Sequence, residues 1–268
     1  MRNLKLKIND VRSINNANID ISKINVVGGV NGSGKSTMSK LLYCCLKSEI
    51  DDESIDYLMD SEDLSDLKDL NIEFESDYIP SDIFYIDNLS ILDLKDLDIL
   101  RVDHIIHIKE ALEEDSSNYS SDILPKIQNI IKTDELYSSG IKEIGIIQML
   151  IQNSKLKEDS FLIIDEPESS LHPEWEIKYA EILVLLAKEL NIHVYLNSHS
   201  AMFIEAISLY SQYYDLLNET NFYLTEKQTN GKYNFKKINP KNMGEVYENL
   251  TRPYDELDKL KAKILFKE

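Results

Sequence analysis

The stretch Gly29-Val30-Asn31-Gly32-Ser33-Gly34-Lys35-Ser36-Thr37 constrains the fold more than any other part of the chain. The apolar run Ile24-Asn25-Val26-Val27 ahead of it reads as a buried strand, and Thr37 to Leu46 behind it reads as a helix. A strand, a glycine-rich turn and a helix N-terminus aim successive backbone N–H groups at one point, and the helix dipole adds positive potential there. Glycines at 29, 32 and 34 let such a backbone approach a phosphate without a Cβ in the way. The candidate phosphate contacts are therefore Gly29, Asn31, Gly32, Ser33, Gly34, Lys35, Ser36 and Thr37. Lys35 is placed to reach the terminal phosphates of a nucleotide, and the Ser36 hydroxyl to ligate Mg²⁺.

With 29 basic and 48 acidic residues among 268, the chain has a net charge of −19. That argues against nucleic-acid binding through bulk charge. The two cysteines, Cys44 and Cys45, are neighbours on the helix after the loop. Adjacent helical positions do not face each other, so they are expected to be small apolar residues rather than a disulfide, which suits a reducing cytoplasm. The N-terminus Met1-Arg2-Asn3-Leu4-Lys5 alternates polar and apolar and lacks the apolar core of a signal peptide. No apolar run approaches the roughly 18 residues that a membrane span needs.

Strand and helix patterns alternate along the chain. Leu4, Leu6 and Ile8 alternate with polar residues, a second short strand is predicted at 17–21, and the buried strand 24–27 follows. Residues 51–70 carry nine carboxylates and one lysine, with Ile55, Leu58, Met59, Leu67 and Leu70 at near-helical spacing, which predicts an amphipathic helix with an acidic face. Further strands are expected at 71–74, 83–86, 161–164 and 192–196, and helices at 103–113, 122–131, from 140 to about 152, from Pro173 to about Leu190, and at 202–210. Asn230-Gly231 between 222–225 and 233–238 signals a hairpin, and 244–267 reads as a helix. The pattern predicts an α/β fold with a mostly parallel core sheet flanked by helices. It also predicts an antiparallel N-terminal β lobe (about 1–28), a small helical subdomain (about 89–157) and a C-terminal hairpin and helix (about 220–268), all in a single domain spanning 1–268.

Three further motifs complete a constellation. Phe161-Leu162-Ile163-Ile164 ends in Asp165, placed to hold a Mg²⁺-bound water beside the phosphate loop, and Glu166 follows, placed to polarise an attacking water. Leu196-Asn197-Ser198-His199-Ser200 puts an imidazole at the end of the next strand, where it could touch a γ-phosphate or position that water. Tyr137-Ser138-Ser139-Gly140 precedes a helix, and a hydroxyl and a glycine at a helix N-terminus make a second anion-binding site.

In that order, Gly29–Thr37, Ser138-Ser139-Gly140, Asp165-Glu166-Pro167, Ser170-Leu171-His172-Pro173 and His199 resemble the ABC-class ATPases. More narrowly they resemble the SMC/RecF branch and the ATPase domains of OLD-like proteins, over residues 3 to about 203. The resemblance implies a P-loop NTPase head of the ABC type with ATP and Mg²⁺ as cofactors. Lys35, Ser36 and Thr37 would bind phosphates and Mg²⁺, Asp165 would hold Mg²⁺, Glu166 would act on water and His199 would be the switch histidine. Ser138 and Gly140 would contact the γ-phosphate held by a second copy, so two composite sites would form only in a head-to-tail homodimer or ATPase heterodimer. Tyr137 stands where the family signature opens with leucine and Ser139 where it has its first glycine. No glutamine follows 83–86, leaving Asp87 or Asn88 to replace a Mg²⁺-sensing residue. Arg12 and Asn15 are candidates for contacting adenine.

About 100 residues separate the phosphate loop from Ser138, so no long coiled coil is inserted, and the 65 residues after 203 are too few for a nuclease domain of the OLD type. The favoured expectation is a cytoplasmic ATPase that switches a separate protein effector, as in bacterial antiphage or toxin systems. A RecF-like DNA-clamping ATPase and a transporter ATPase subunit are the alternatives.

Overall fold

The computed structural model describes residues 4–50, 71–87, 103–113, 122–131, 142–169 and 171–266. The expected acidic helix at 51–70, the signature residues Ser138, Ser139 and Gly140, and Asn88 and Ser170 lie outside them.

Among the described residues nine strands form one sheet: β1 (Leu4–Val11), β2 (Ile14–Asp20), β3 (Ile24–Gly28), β4 (Asn71–Ser76), β5 (Ile83–Ile86), β6 (Phe161–Asp165), β7 (His193–Ser198), β8 (Thr220–Lys227) and β9 (Tyr233–Ile238), in the order β4-β1-β2-β9-β8-β3-β7-β6-β5. The helices are α1 (Lys35–Ile50), α2 (Asp103–Glu113), α3 (Ile123–Ile131), α4 (Lys142–Gln152), α5 (Pro173–Glu189), α6 (Ala201–Tyr213) and α7 (Gly244–Leu265).

From β8 through β3, β7 and β6 to β5 every neighbouring pair is parallel. These short strands are apolar almost throughout because both faces are covered. Alternation sorts their side chains. Phe161, Ile163, Tyr85, Tyr195 and Val27 face α1, where Met38, Leu41, Leu42 and Tyr43 pack on them. Leu162, Ile164, Phe84, Ile86, Val194 and Leu196 face the opposite layer, built from α2 to α6. Among the described residues, α1 therefore covers one face and α2 to α6 the other.

The antiparallel part differs from the sequence expectation in its membership. β4 pairs with β1, so the third antiparallel strand comes from 71–76 rather than from 24–27, which lies inside the parallel set between β8 and β7. β9 pairs parallel to β2 and antiparallel to β8, so the predicted hairpin welds the N-terminal strands to the parallel core in one continuous sheet. Asn15 reinforces that weld, donating to Asn234 Oδ1 at 2.7 Å and accepting from Asn230 Nδ2 at 2.8 Å. Cys44 and Cys45 are free, and burial pushes their thiols up to about 11 and about 12, so they are inert apolar residues of α1. Among the described residues no helix is long and apolar enough to cross a membrane.

Candidate functional site

The carboxyl ends of β3, β7, β6 and β5 lie side by side, the place where open α/β sheets bind ligands. Register fixes what stands there. Asp165 is paired with Asn197, Val27 with Asn197, and Gly28 with Ser198. The loop after β3 and the residues after β6 and β7 thus share one rim.

The phosphate loop is held there on both sides. Gly29 N–H donates to the Ser198 carbonyl at 3.3 Å, and Met38 N–H donates to the Gly34 carbonyl at 2.9 Å, starting α1. A Cβ on Gly29 would lie 1.8 Å from Thr225 Oγ1. One on Gly34 would meet Ile14 Cγ1 at 2.7 Å and Ser13 Oγ at 2.9 Å, with φ at 94°. Those contacts explain both glycines and show that the β1–β2 turn, which carries Arg12, abuts the loop. Val30, Asn31 and Gly32 are exposed at its crest, Ser36 is exposed, and Ser33 and Lys35 are buried beneath it. Lys35 Nζ donates to the carbonyls of Gly29 at 2.9 Å and Val30 at 3.1 Å, so its ammonium sits inside the loop. Burial lowers its pKa, opposed by the negative charges of Glu166, Asp165 and Glu168.

Asp165 is buried. Its Oδ1 accepts from Asn197 Nδ2 at 2.9 Å, and the Ser36 side chain lies beside its carboxylate. Burial raises its pKa, and the neighbouring Ser36 and Asn197 side chains oppose the shift. The predicted pair Ser36 and Asp165 is brought together. A hydroxyl and a carboxylate beside a phosphate loop are hard oxygen donors, which fit Mg²⁺ and leave room for water and phosphate oxygens to complete its shell.

Glu166 follows in the left-handed region, with φ at 57°, its N–H donating to the Asn197 carbonyl at 3.0 Å. His199 stands opposite, with Nδ1 3.8 Å from Glu166 Oε1 and 3.1 Å from Glu168 Oε1.

A scan against protein families matches residues 54–205 to the family described as "AAA domain, putative AbiEii toxin, Type IV TA system". The chain belongs to this family. The matched stretch contains Asp165, Glu166 and His199, while the phosphate loop precedes it. No curated protein matches the chain. Among solved structures, a chain titled "An inward-facing conformation of a putative metal-chelate type ABC transporter" is similar at 19% identity, covering 93% of this chain and 87% of its own, with a TM-score of 0.52. The SMC head domain from Thermotoga maritima aligns at 13% identity over 89% of this chain and 99% of its own, with a TM-score of 0.48. The fold of this AAA-domain chain is that of a P-loop NTPase of the ABC-ATPase type.

Three residues of the site were not singled out by sequence motifs. Asn197 Nδ2 donates to the Lys35 carbonyl (2.9 Å), to Ser39 Oγ (3.0 Å) and to Asp165, tying the first turn of α1 to β7 and β6. The buried Glu168 receives bonds from Ser198 Oγ at 2.8 Å, His199 N–H at 2.7 Å and Ser200 N–H at 3.1 Å. The buried Tyr85 lies 3.5 Å from both Ser39 Oγ and Asp165 Oδ2. The available signal was polarity inside apolar runs: a buried asparagine in a core strand must find partners. Asp87 is buried one residue past the Ile86–Ile164 pair, beside Asp165 on the sheet rim.

Proposed function

We propose that this chain is an ATPase that closes head-to-tail on a second copy around ATP and Mg²⁺ and thereby switches a separate protein effector. The observation that carries the reading is the convergence of Lys35, Ser36, Asp165 and Glu166 on one sheet rim from sequence positions 130 residues apart. Backbone N–H groups of the loop and Lys35 would bind the phosphates. Ser36 and Asp165 would hold the Mg²⁺, which when bound neutralises phosphate charge. Glu166 would orient and polarise the attacking water, with His199 beside it. Ser138 and Gly140 of a second copy would complete each site, and Arg12 in the turn against the loop remains the candidate for the base.

The effector part of the proposal draws on the family's description, "putative AbiEii toxin, Type IV TA system", and an OLD-like role in cytoplasmic antiphage defence is the specific form we favour. The net charge of −19 weighs against the DNA-clamping alternative.

Phosphate release from Mg·ATP by the purified chain tests the enzymatic part. Turnover lowered by about 10²–10⁴-fold in Glu166→Gln is the expected result, and equal turnover in the two proteins removes Glu166 from its role. Affinity purification of Glu166→Gln from its host with ATP, followed by mass spectrometry, tests the effector part. A soluble protein held in one nucleotide condition supports it. Co-purified DNA or a permease would replace it.

A further inference from the structure

Two hydroxyls beneath the phosphate loop make no hydrogen bond. Thr225, near the end of β8, is 3% exposed and Ser33 is 0% exposed, and neither Thr225 Oγ1 nor Ser33 Oγ has a partner among the described residues. A buried hydroxyl has given up its water, so one that gains no protein partner in exchange is uncommon and asks for a reason. Both stand against the same loop residue. A Cβ on Gly29 would lie 1.8 Å from Thr225 Oγ1 and 3.2 Å from Ser33 Oγ. With no Cβ there, Thr225 Oγ1 stands within about 3.3 Å of Gly29 Cα, an atom two bonds from the Gly29 carbonyl oxygen. Register puts it there: Gly28 is paired with Leu224 in the parallel β3–β8 ladder, so Gly29 and Thr225, one residue further on, are neighbours.

The Gly29 carbonyl is already taken. Lys35 Nζ donates to it at 2.9 Å and to the Val30 carbonyl at 3.1 Å, which uses two of the ammonium's three donors. A lysine that bridges two phosphates needs two donors for them, so at least one loop carbonyl loses the ammonium. Val30 is exposed at the crest, where water replaces a lost donor, but Gly29 is buried. A buried carbonyl left without a donor is costly. The β-branched stem of Thr225 is stiff while its hydroxyl hydrogen rotates freely, so a donor is held ready beside Gly29.

We propose that Thr225 is a positioning residue of the phosphate loop, whose hydroxyl donates to the Gly29 carbonyl when Lys35 leaves it for a phosphate. The nucleotide step rests on the ATPase reading. The exchange keeps the floor of the loop bonded with and without nucleotide, and Thr225 acts through Gly29 rather than on the phosphates.

The handover is tested first without nucleotide, by urea unfolding of the full chain. Thr225→Val keeps the shape of the side chain and removes only the hydroxyl. In the otherwise wild-type chain it should cost no stability, because the hydroxyl has no bond to lose. In a Lys35→Met background, where the Gly29 carbonyl has lost its ammonium, the same change should lower the folding equilibrium constant about three- to tenfold. A loss in the wild-type background, or failure of Thr225→Val to fold, means that the hydroxyl is already bonded in the free chain and overturns the proposal. So does the absence of any loss in the Lys35→Met background. The second arm is equilibrium binding of Mg·ATP by calorimetry. Thr225→Val should weaken it about three- to tenfold, while Thr225→Ser, which keeps the donor, should stay within about threefold of wild type. Wild-type affinity in Thr225→Val, or an equal loss in Thr225→Ser, overturns the proposal; should Lys35→Met not fold, this arm decides alone. A wild-type chain that binds no Mg·ATP sinks the ATPase reading, while the unfolding comparison still decides the handover.

Discussion

Glu166 adopts a backbone conformation that costs an L-residue about 1 kcal/mol or more. The structure holds it there through the Glu166 N–H bond to Asn197 and the Ser169 N–H bond to the Glu166 carbonyl at 2.9 Å. Strain kept at one carboxylate beside Asp165 fits a position selected for chemistry rather than stability. Glu166→Gln keeps the backbone and the shape and removes the base. ATP hydrolysis should fall by about 10²–10⁴-fold with nucleotide affinity retained, measured by steady-state phosphate release alongside equilibrium binding. Glu143 gives a second residue-scale prediction, with the unusual sign for a carboxylate. It is buried in the first turn of α4 with Oε2 unbonded, and burial, aided by the negative charges of Glu168 and Asp87, pushes it up to about 8. The folded chain keeps this proton where the unfolded chain, ionising near 4.5, has lost it, so stability falls as pH rises from about 4.5 to about 8 and is flat above. Glu143→Gln, which cannot ionise, should be more stable than wild type by about 1–3 kcal/mol at pH 8.5 and by little at pH 4.5, read from urea unfolding at the two pH values.

At the scale of elements, helices and strands were legible wherever periodicity was strong. Asp103–Glu113 and Ile83–Ile86 match their sequence bounds, and the phosphate-loop helix runs from Lys35 to Ile50 around the expected 37–46. Pairing was not legible. Nothing local in Asn71–Ser76 says that it borders β1 rather than β5, because the bonds that decide this come from residues some 65 positions away. The parallel contact of β2 with β9 spans more than 200 positions. The same limit hid Asn197. Its residue type flags a buried polar group, but its partners Lys35, Ser39 and Asp165 are distant in sequence. Asn197→Leu would leave the Lys35 carbonyl and Asp165 Oδ1 without that donor inside the core. We expect a loss of about 2–3 kcal/mol in stability and a rise in KM for ATP, because α1's first turn loses its anchor to β7. Denaturant unfolding and steady-state kinetics check the two parts.

For the whole molecule, the charge of −19 sets a condition on assembly. Two copies closing on ATP bring like charges together, and Mg·ATP, itself net negative, does not offset them. Repulsion between exposed charges is screened over about 10 Å at 0.1 M ionic strength and about 3 Å at 1 M. Closure of Glu166→Gln on ATP should therefore tighten as salt rises from about 0.05 to 0.3 M, seen as a shift from one chain to two in light scattering or sedimentation. Binding driven by phosphate contacts to nucleic acid runs the other way, weakening steeply over the same range. The sign of the salt dependence thus separates the two ways this fold could be used. A dimer that forms more readily with salt is held by the composite sites and its apolar contacts against a repulsive background. A dimer that dissolves with salt would show attraction between opposite charges on facing surfaces, and the head-to-tail arrangement would then have to bring the lysine-bearing parts of one copy against the acidic parts of the other.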